Sequence, residues 1–247
     1  PCIDCNRFLK FDRLYERAKI LGCDHVATGH YARIEEQDGK FVLKKALDPA
    51  KDQSYVLYTM TQEQLAHTLF PLGGYSKPEA RKLAEDGGLV NAEKPDSQDI
   101  CFAPDGDYAA AIERYSGKKP QPGSFVDADG NVLGQHKGII HYTIGQHRGL
   151  GLGQNERAYV CKICPADNTV VLGPSEALFR RDAAAADVNW ISGQAPDGPI
   201  RCCAKVRYRQ TEQPATVTPR PDGGADILFD EPQRAIGKNT RDAMRSG

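Results

Sequence analysis

Cysteine is the residue type with the most chemistry to offer in this sequence. Cys2-Ile3-Asp4-Cys5-Asn6 stands directly ahead of an amphipathic run. The N-terminus of a helix favours a thiolate, and the thiolate is the nucleophile. The placement suits redox or sulfur-transfer chemistry, while the spacing alone equally allows half a zinc site or a chance pair of small residues. Cys101 lies in DSQDICF (96–102), between Pro95 and Pro104, on what reads as a positioned irregular loop. Taken alone it is either a nucleophile or a small buried residue. Cys161-Lys162-Ile163-Cys164 is a second C-x-x-C. A shared zinc site is not assigned, because the two pairs are far apart for a zinc ribbon. In addition, Tyr159 to Val171 reads as a hairpin, where residues three apart face opposite ways. Cys202-Cys203 likewise points to both faces of a strand and reads as packing.

Three polar motifs could hold a ligand. ATGHY (27–31) puts Gly29 and His30 at the end of a strand, the edge where open α/β sheets bind ligands; both also read as turn and structural residues. KDQSY (51–55) offers Lys51 and Gln53 to a phosphate or base edge, with Asp52 to orient them; an ordinary capped helix start has the same composition. KVRYRQT (205–211) reads as a basic strand whose alternation sets Lys205, Arg207 and Arg209 on one face and Tyr208 on the other. From Arg201 to Arg220 five cations face the single acid Glu212, which points to phosphate contacts.

These groups need elements to position them. Phe8, Phe11, Leu14, Tyr15, Ala18 and Leu21 recur at helical spacing over 7–23, and Gly22 suits a C-cap. Strands are predicted over 25–34 and 41–48, the second following the turn at Asp38-Gly39. Residues 54–73 read as mostly helical, with Thr61 as a cap. Ser76 caps a helix opening with Lys77-Pro78, and 107–117 forms another. After Pro120 short strand-like runs alternate with Gly, Asp and Asn turns, and a third all-β stretch starts near 183, suggesting compact barrels. Net charge is −1, which excludes a global basic field but not local stripes. No apolar run approaches the ~18 residues of a membrane helix. Without a secretory leader the eight cysteines argue against a disulfide framework, and a soluble cytoplasmic protein is expected.

In order, P-C-x-x-C-N-x-x-L-K-F, ATGHYAR, LD-x-x-KDQSY-x-LY, DSQDICF, HYTIGQHRGLG and KVRYRQT closely resemble the tRNA-specific 2-thiouridylases, from Pro1 to about Ile236. The resemblance implies an α/β remnant of an ATP-pyrophosphatase (adenine nucleotide alpha hydrolase-like) domain over 1–67 with the loop 96–110. A small α+β central domain over 68–181 and a C-terminal β-barrel over 182–247 would follow. It implies ATP-dependent adenylation, with Mg2+, of the C2 oxygen of the wobble uridine in tRNA, then sulfur transfer from a cysteine persulfide to give 2-thiouridine. Cys5 would be the nucleophile and Cys101 the persulfide carrier, and the two could form a redox disulfide. Gly29 would contact ATP; His30, Lys51, Asp52, Gln53, Arg207 and Tyr208 would contact the anticodon stem-loop. A sulfur-relay protein or cysteine desulfurase would supply the sulfur. No membrane partner and no metal ligand in the protein are implied.

Three departures qualify this expectation. The S-G-G-x-D-S-type pyrophosphate loop is absent from the sequence, so an N-terminally truncated chain with weak or no adenylation is expected. Cys2 occupies the place where some members carry Asp. The tail GKNTRDAMRSG replaces an apolar closing strand and would leave the last barrel with an open edge. Three other classes stay in view. A different ATP-pyrophosphatase ligase would not need Cys5 and Cys101. A non-catalytic RNA-binding module would carry structural zinc on its C-x-x-C pairs, and a thioredoxin-like redox protein lacks the required strand order after Cys5.

Overall fold

A computed structural model describes residues 2–90, 92–93, 103, 106–117, 119–152 and 158–236. The DSQDICF motif from Asp96 to Phe102, with Cys101, and the tail 237–247 lie outside the described residues.

Three buried clusters follow one another along the chain. The first centres on Phe11, Ala32, Leu57, Met60 and Leu65. Its helical run opens as α1 (Cys2–Asp4), continues as a π-helical stretch (Cys5–Arg13) and closes as α2 (Leu14–Ile20). The helix predicted over 7–23 is present but begins earlier and is wound more widely. An i→i+5 turn takes more residues than an α turn, so a stripe counted at α spacing drifts off the core. Phe11 and Ala18 are buried, whereas Phe8, Leu14 and Leu21 are exposed.

The strand expected over 25–34 is two strands. β1 (Val26–Ala27) ends before Thr28–Tyr31, and β2 (Ala32–Gln37) pairs antiparallel with β3 (Lys40–Lys45). Asp38 and Gly39 both have positive φ, as a tight hairpin turn requires. Segment 54–73 is not one helix either. It forms a 3-10 turn (Ser54–Leu57), α3 (Gln62–Ala66), β4 (Thr68–Leu69) parallel to β1, and a second 3-10 turn (Pro71–Gly74). Leu57, Met60 and Leu65 all enter the same core. Gaps of three and five residues do not keep a single helical face, so the chain must turn tightly between them. The Thr61 cap is observed, as a capping box with Gln64, and so is Ser76 with Glu79 at α4 (Lys77–Asp86). α5 (Tyr108–Ser116) starts at Asp107 and stops at left-handed Gly117.

The second cluster holds Phe125, Tyr142, Leu150, Val160, Val170 and Leu172. Its sheet has the order β6-β5-β8-β7, from β5 (Gly123–Val126), β6 (Val132–His136), β7 (Tyr159–Cys164) and β8 (Thr169–Gly173). The β7–β8 hairpin is present. Its register slips between Val160 and Lys162, so the strict alternation used to separate Cys161 from Cys164 is interrupted by a bulge.

The third cluster is covered by an antiparallel sheet of order β10-β11-β12-β9, from β9 (Phe179–Ala185), β10 (Ile200–Ala204), β11 (Gln213–Pro219) and β12 (Ala225–Arg234). The basic strand predicted at 205–211 does not form: the chain leaves the sheet at Ala204 and loops until Gln213. Val206 is buried in the core, its N–H donates to Gln210 Oε1, and Gln210 N–H donates to the Arg207 carbonyl. Self-bonding of this kind satisfies the backbone without a sheet partner.

Side-chain amides tie the first unit to the third. Asn189 Nδ2 donates to the Tyr58 and Met60 carbonyls at 2.7 and 2.9 Å, and Gln62 Nε2 to the Phe41 and Ile191 carbonyls at 2.7 and 2.5 Å. Two features of the first core can be tested. A Cβ on Gly73 would sit 1.7 Å from the Ala32 carbonyl oxygen. Gly73→Ala is therefore expected to cost about 2–3 kcal/mol, read as a shift in the urea midpoint. His30 is 7% exposed, packed 5.9 Å from Phe11 and 5.8 Å from Phe70, with Nδ1 2.8 Å from Thr28 Oγ1. Burial first, and the Lys10 charge second, push its pKa from 6.5 down to about 4. The neutral ring favours the fold, so this contribution is complete above pH 6.5 and is lost as pH falls toward 4. Urea titrations should show stability dropping by roughly 2–3 kcal/mol between pH 7 and 4.5, and His30→Phe should remove that dependence. An unchanged pH profile in the variant would contradict the assignment.

Candidate functional site

Three motifs separated by up to about 180 residues line one cleft of about 750 Å3. Gly29 and Tyr31 come from the turn after β1, Lys51, Asp52 and Gln53 from the loop before the first 3-10 turn, and Lys205, Tyr208, Arg209 and Gln210 from the loop after β10. Lys77, at the start of α4, completes the rim. Four cations thus face one carboxylate.

That carboxylate is already committed. Asp52 Oδ1 accepts from the Ala46 N–H at 3.0 Å, and the Ser54 hydroxyl donates to the Asp52 carboxylate at 2.6 and 2.7 Å. Asp52 thereby fixes the turn that carries Lys51 and Gln53. Gln53 binds Tyr31 twice, its N–H donating to the Tyr31 carbonyl at 2.8 Å and its Oε1 accepting the Tyr31 N–H at 2.9 Å. The two loops are therefore locked together, and the broken strand at 25–34 is the consequence. A Cβ on Gly29 would meet only Leu72 Cδ1, at 3.8 Å, so this rim has room. His30 is not in the cleft; its ring turns inward to the core.

The third wall is held by Tyr208. Its hydroxyl donates to the Asp52 carbonyl at 3.3 Å, and its ring meets Tyr55 edge-on at 5.8 Å. Burial first, and then the Asp52 charge, raise its pKa, so it stays a donor. Lys205 stands 5.4 Å over the Tyr55 ring and 4.0 Å from Glu212 Oε1, while Lys45 pairs with Glu212 Oε2. Tyr31, Tyr55 and the clamping role of Glu212 were not anticipated. The lone acid within the basic segment was the signal that could have found Glu212.

The other predicted residues divide. Arg207 faces away from this cleft: its Nη2 donates to the Ile144 and Ala235 carbonyls at 3.0 and 2.9 Å, beside a cavity of about 790 Å3 that Cys161 and Cys164 also line. Arg201 and Arg220 are not phosphate-ready. Arg201 makes a two-pronged pair with Asp230 at 2.8 and 2.7 Å, and Arg220 pairs with Asp222 and Asp226 at 3.1 and 2.9 Å. Counting only acids within 201–220 missed partners on β12 and its preceding turn. Cys5 is half-buried with a free thiol at the head of the π-helical stretch. Neighbouring Asn6 is buried and its Nδ2 donates to the Val56 carbonyl at 3.4 Å, which sets this helix start against the 3-10 turn that follows Gln53. The helix start that carries the C-x-x-C also packs against the 3-10 turn Ser54–Leu57, directly after the KDQSY loop that lines the cleft. Cys101, and with it any Cys5–Cys101 bond, falls outside the described residues. Burial raises the pKa of Cys161 and Cys202, which keeps them as neutral packing thiols. Among the described residues no group of His, Cys, Asp and Glu could hold a metal ion, and no helix is long and apolar enough to cross a membrane.

Comparison with known proteins fits this division of the chain. Residues 1–105 match a family model described as a tRNA methyl transferase HUP domain, 110–174 its PRC-barrel domain, and 180–238 an aminomethyltransferase beta-barrel domain. The α/β, central and C-terminal β-barrel classes expected are thus the ones matched. A protein of Clostridioides difficile (strain 630) named tRNA-specific 2-thiouridylase MnmA is 48% identical over 100% of this chain and 69% of its own length. Proteins of the same name from Clostridium perfringens (strain 13 / Type A) and Heliobacterium modesticaldum are 48% and 49% identical over 96% of this chain, and 66% and 62% of theirs. The chain therefore spans about two thirds of the length of these relatives. By its motifs, its three-part fold and this identity along its whole length, the chain belongs to the tRNA-specific 2-thiouridylase family.

Proposed function

We propose that this chain carries the tRNA-binding and sulfur-transferring part of a cytoplasmic tRNA 2-thiouridylase. The observation that supports this most is the meeting of ATGHY, KDQSY and KVRYRQT residues in one cation-rich cleft, with the Cys2–Cys5 helix start packed on the turn that follows KDQ. RNA modules that act on a single base combine phosphate contacts with aromatic rings for the unstacked nucleotide. In this reading Lys51 and Arg209 take phosphates, the exposed Tyr208 ring stacks on the splayed wobble uridine, and Gln53 presents its remaining amide N–H to it. Asp52 and His30 act from behind, Asp52 by fixing the loop and His30 by supporting Gly29 and Tyr31. Arg207 contacts the RNA outside the cleft.

Gly29, beyond the carboxyl end of β1, and the Lys51 and Lys77 ammonium groups suit a nucleotide at this edge. When bound, ATP supplies the adenylyl group that makes the C2 oxygen of uridine a leaving group. Mg2+ would belong to the triphosphate. The sulfur chemistry is assigned to the two cysteines. A donor protein, either a sulfur-relay protein or a cysteine desulfurase, charges Cys101 with a sulfane sulfur. Attack of the Cys5 thiolate on the inner sulfur forms a Cys5–Cys101 disulfide and releases hydrosulfide, which replaces the activated oxygen at C2. A thiol reductant then restores both cysteines. Covalent catalysis of this kind divides one difficult substitution into easier steps.

Incubation with a cysteine desulfurase and cysteine, followed by mass spectrometry of intact and digested protein, tests the assignment. One added sulfur is expected on Cys101, absent in Cys101→Ala and retained in Cys5→Ala. Sulfur scattered over several thiols, or none on Cys101, would overturn it, as would a methyl-transfer reaction of the kind named in the family model's description.

A further inference from the structure

Among the described residues, the arginines of the second and third units differ in their partners. Arg201 and Arg220 are neutralised by Asp230, Asp222 and Asp226. Among the described residues no carboxylate pairs with Arg148, Arg207, Arg209 or Arg234, all four of which are exposed. Arg207 and Arg234 converge at Gly145, with Arg209 two residues from Arg207 and Arg148 three residues from Gly145 along the chain. Arg209 lines the cleft. Arg207, two residues earlier, bridges the Ile144 and Ala235 carbonyls, so it joins the C-terminal sheet to the loop at 143–149. Arg234 Nη1 and Arg207 Nη2 both lie within 4.0 Å of a single point, the position a Cβ would take on Gly145. Arg234 stacks on Tyr159 at 5.3 Å, and the ring of His147, next to Arg148, lies 5.3 Å from the same Tyr159. Gly145 has φ +89 and its N–H donates to the Val160 carbonyl at 2.8 Å, which fixes the loop in this place. The adjoining cavity carries Lys162, Arg180 and Arg207 against one acid, Asp167.

Guanidinium groups brought together without acids repel one another, and a polyanion relieves that cost. On the reading of the cleft as a tRNA site, we propose that Arg209, Arg207, Arg234 and Arg148 form one phosphate track. It leads the RNA backbone out of the cleft, across the junction of the second and third units, and onto the loop at 143–149, where His147, Tyr159 and Arg234 make a stacked platform. This gives the HYTIGQHRGLG segment a role in RNA binding away from the reacting base.

The test compares two double variants of equal net charge, Arg148→Gln/Arg234→Gln on the track and Arg201→Gln/Arg220→Gln among the paired cations. Dissociation constants for unmodified tRNA are measured by filter binding across a series of salt concentrations. The track variant should bind about tenfold more weakly, with a salt slope shallower by roughly 1.5, and Arg148→Lys/Arg234→Lys should restore most of the affinity. The paired variant should stay within about twofold of the unmodified protein. Equal effects of the two double variants, or no effect of the first, would overturn the track while leaving the cleft as the RNA site. Absence of salt-dependent tRNA binding by the unmodified protein would overturn both.

Discussion

The Tyr208 hydroxyl reaches from the loop after β10 to the Asp52 carbonyl, and around this bond the two units are clamped. Tyr55 receives the Tyr208 ring on its edge and the Lys205 ammonium over its ring. Glu212 sits between Lys45 of the first unit and Lys205 of the third. The Glu212 carboxylate and the Lys205 side chain are largely shielded, at 18% and 13% exposed, so the charges act through less water than a surface pair would. Removing one partner of such a pair leaves a poorly solvated charge behind, which costs more than the pair itself contributes. If residues 205–211 continued β10 as a strand, this clamp would be lost and the cleft would have two walls instead of three.

Pre-organisation follows from how the polar side chains are used. Asp52 and Gln53 spend their hydrogen bonds on Ala46, Ser54 and Tyr31, leaving the loop in one arrangement before any ligand arrives. The phosphate contacts proposed for Lys51 and Arg209 would then form on a rigid frame, with less ordering entropy opposing binding. His30 serves the same end from the core side: as a neutral ring between Phe11 and Phe70 it supports the turn that presents Gly29 and Tyr31.

Elements set by local signals were readable from the sequence. The Thr61 and Ser76 caps, the Asp38-Gly39 hairpin, the Asp107–Gly117 helix and the β7–β8 hairpin depend on residues a few positions apart, and each is found. What escaped depends on distant partners. The stripe on the first helix was counted at α spacing, which a π-helical stretch does not keep. Alternation in KVRYRQT implied a strand, but Val206 is drawn into the barrel core while Arg207 and Tyr208 are taken by two other units. Arg201 and Arg220 looked unpaired because their acids lie further along the chain. The motifs themselves were identified one by one; only the fold shows that Lys51, Arg209 and Gly29 share a cleft and that His30 does not line it.

The most direct test of a single RNA site spanning the first and third units is amide hydrogen exchange with and without tRNA. The account predicts that tRNA slows exchange together at 29–31, 50–54 and 206–211, with little change on β10 and β11 around Arg201 and Thr216. Protection confined to one of those three segments, or centred on the outer face of the C-terminal sheet, would contradict it.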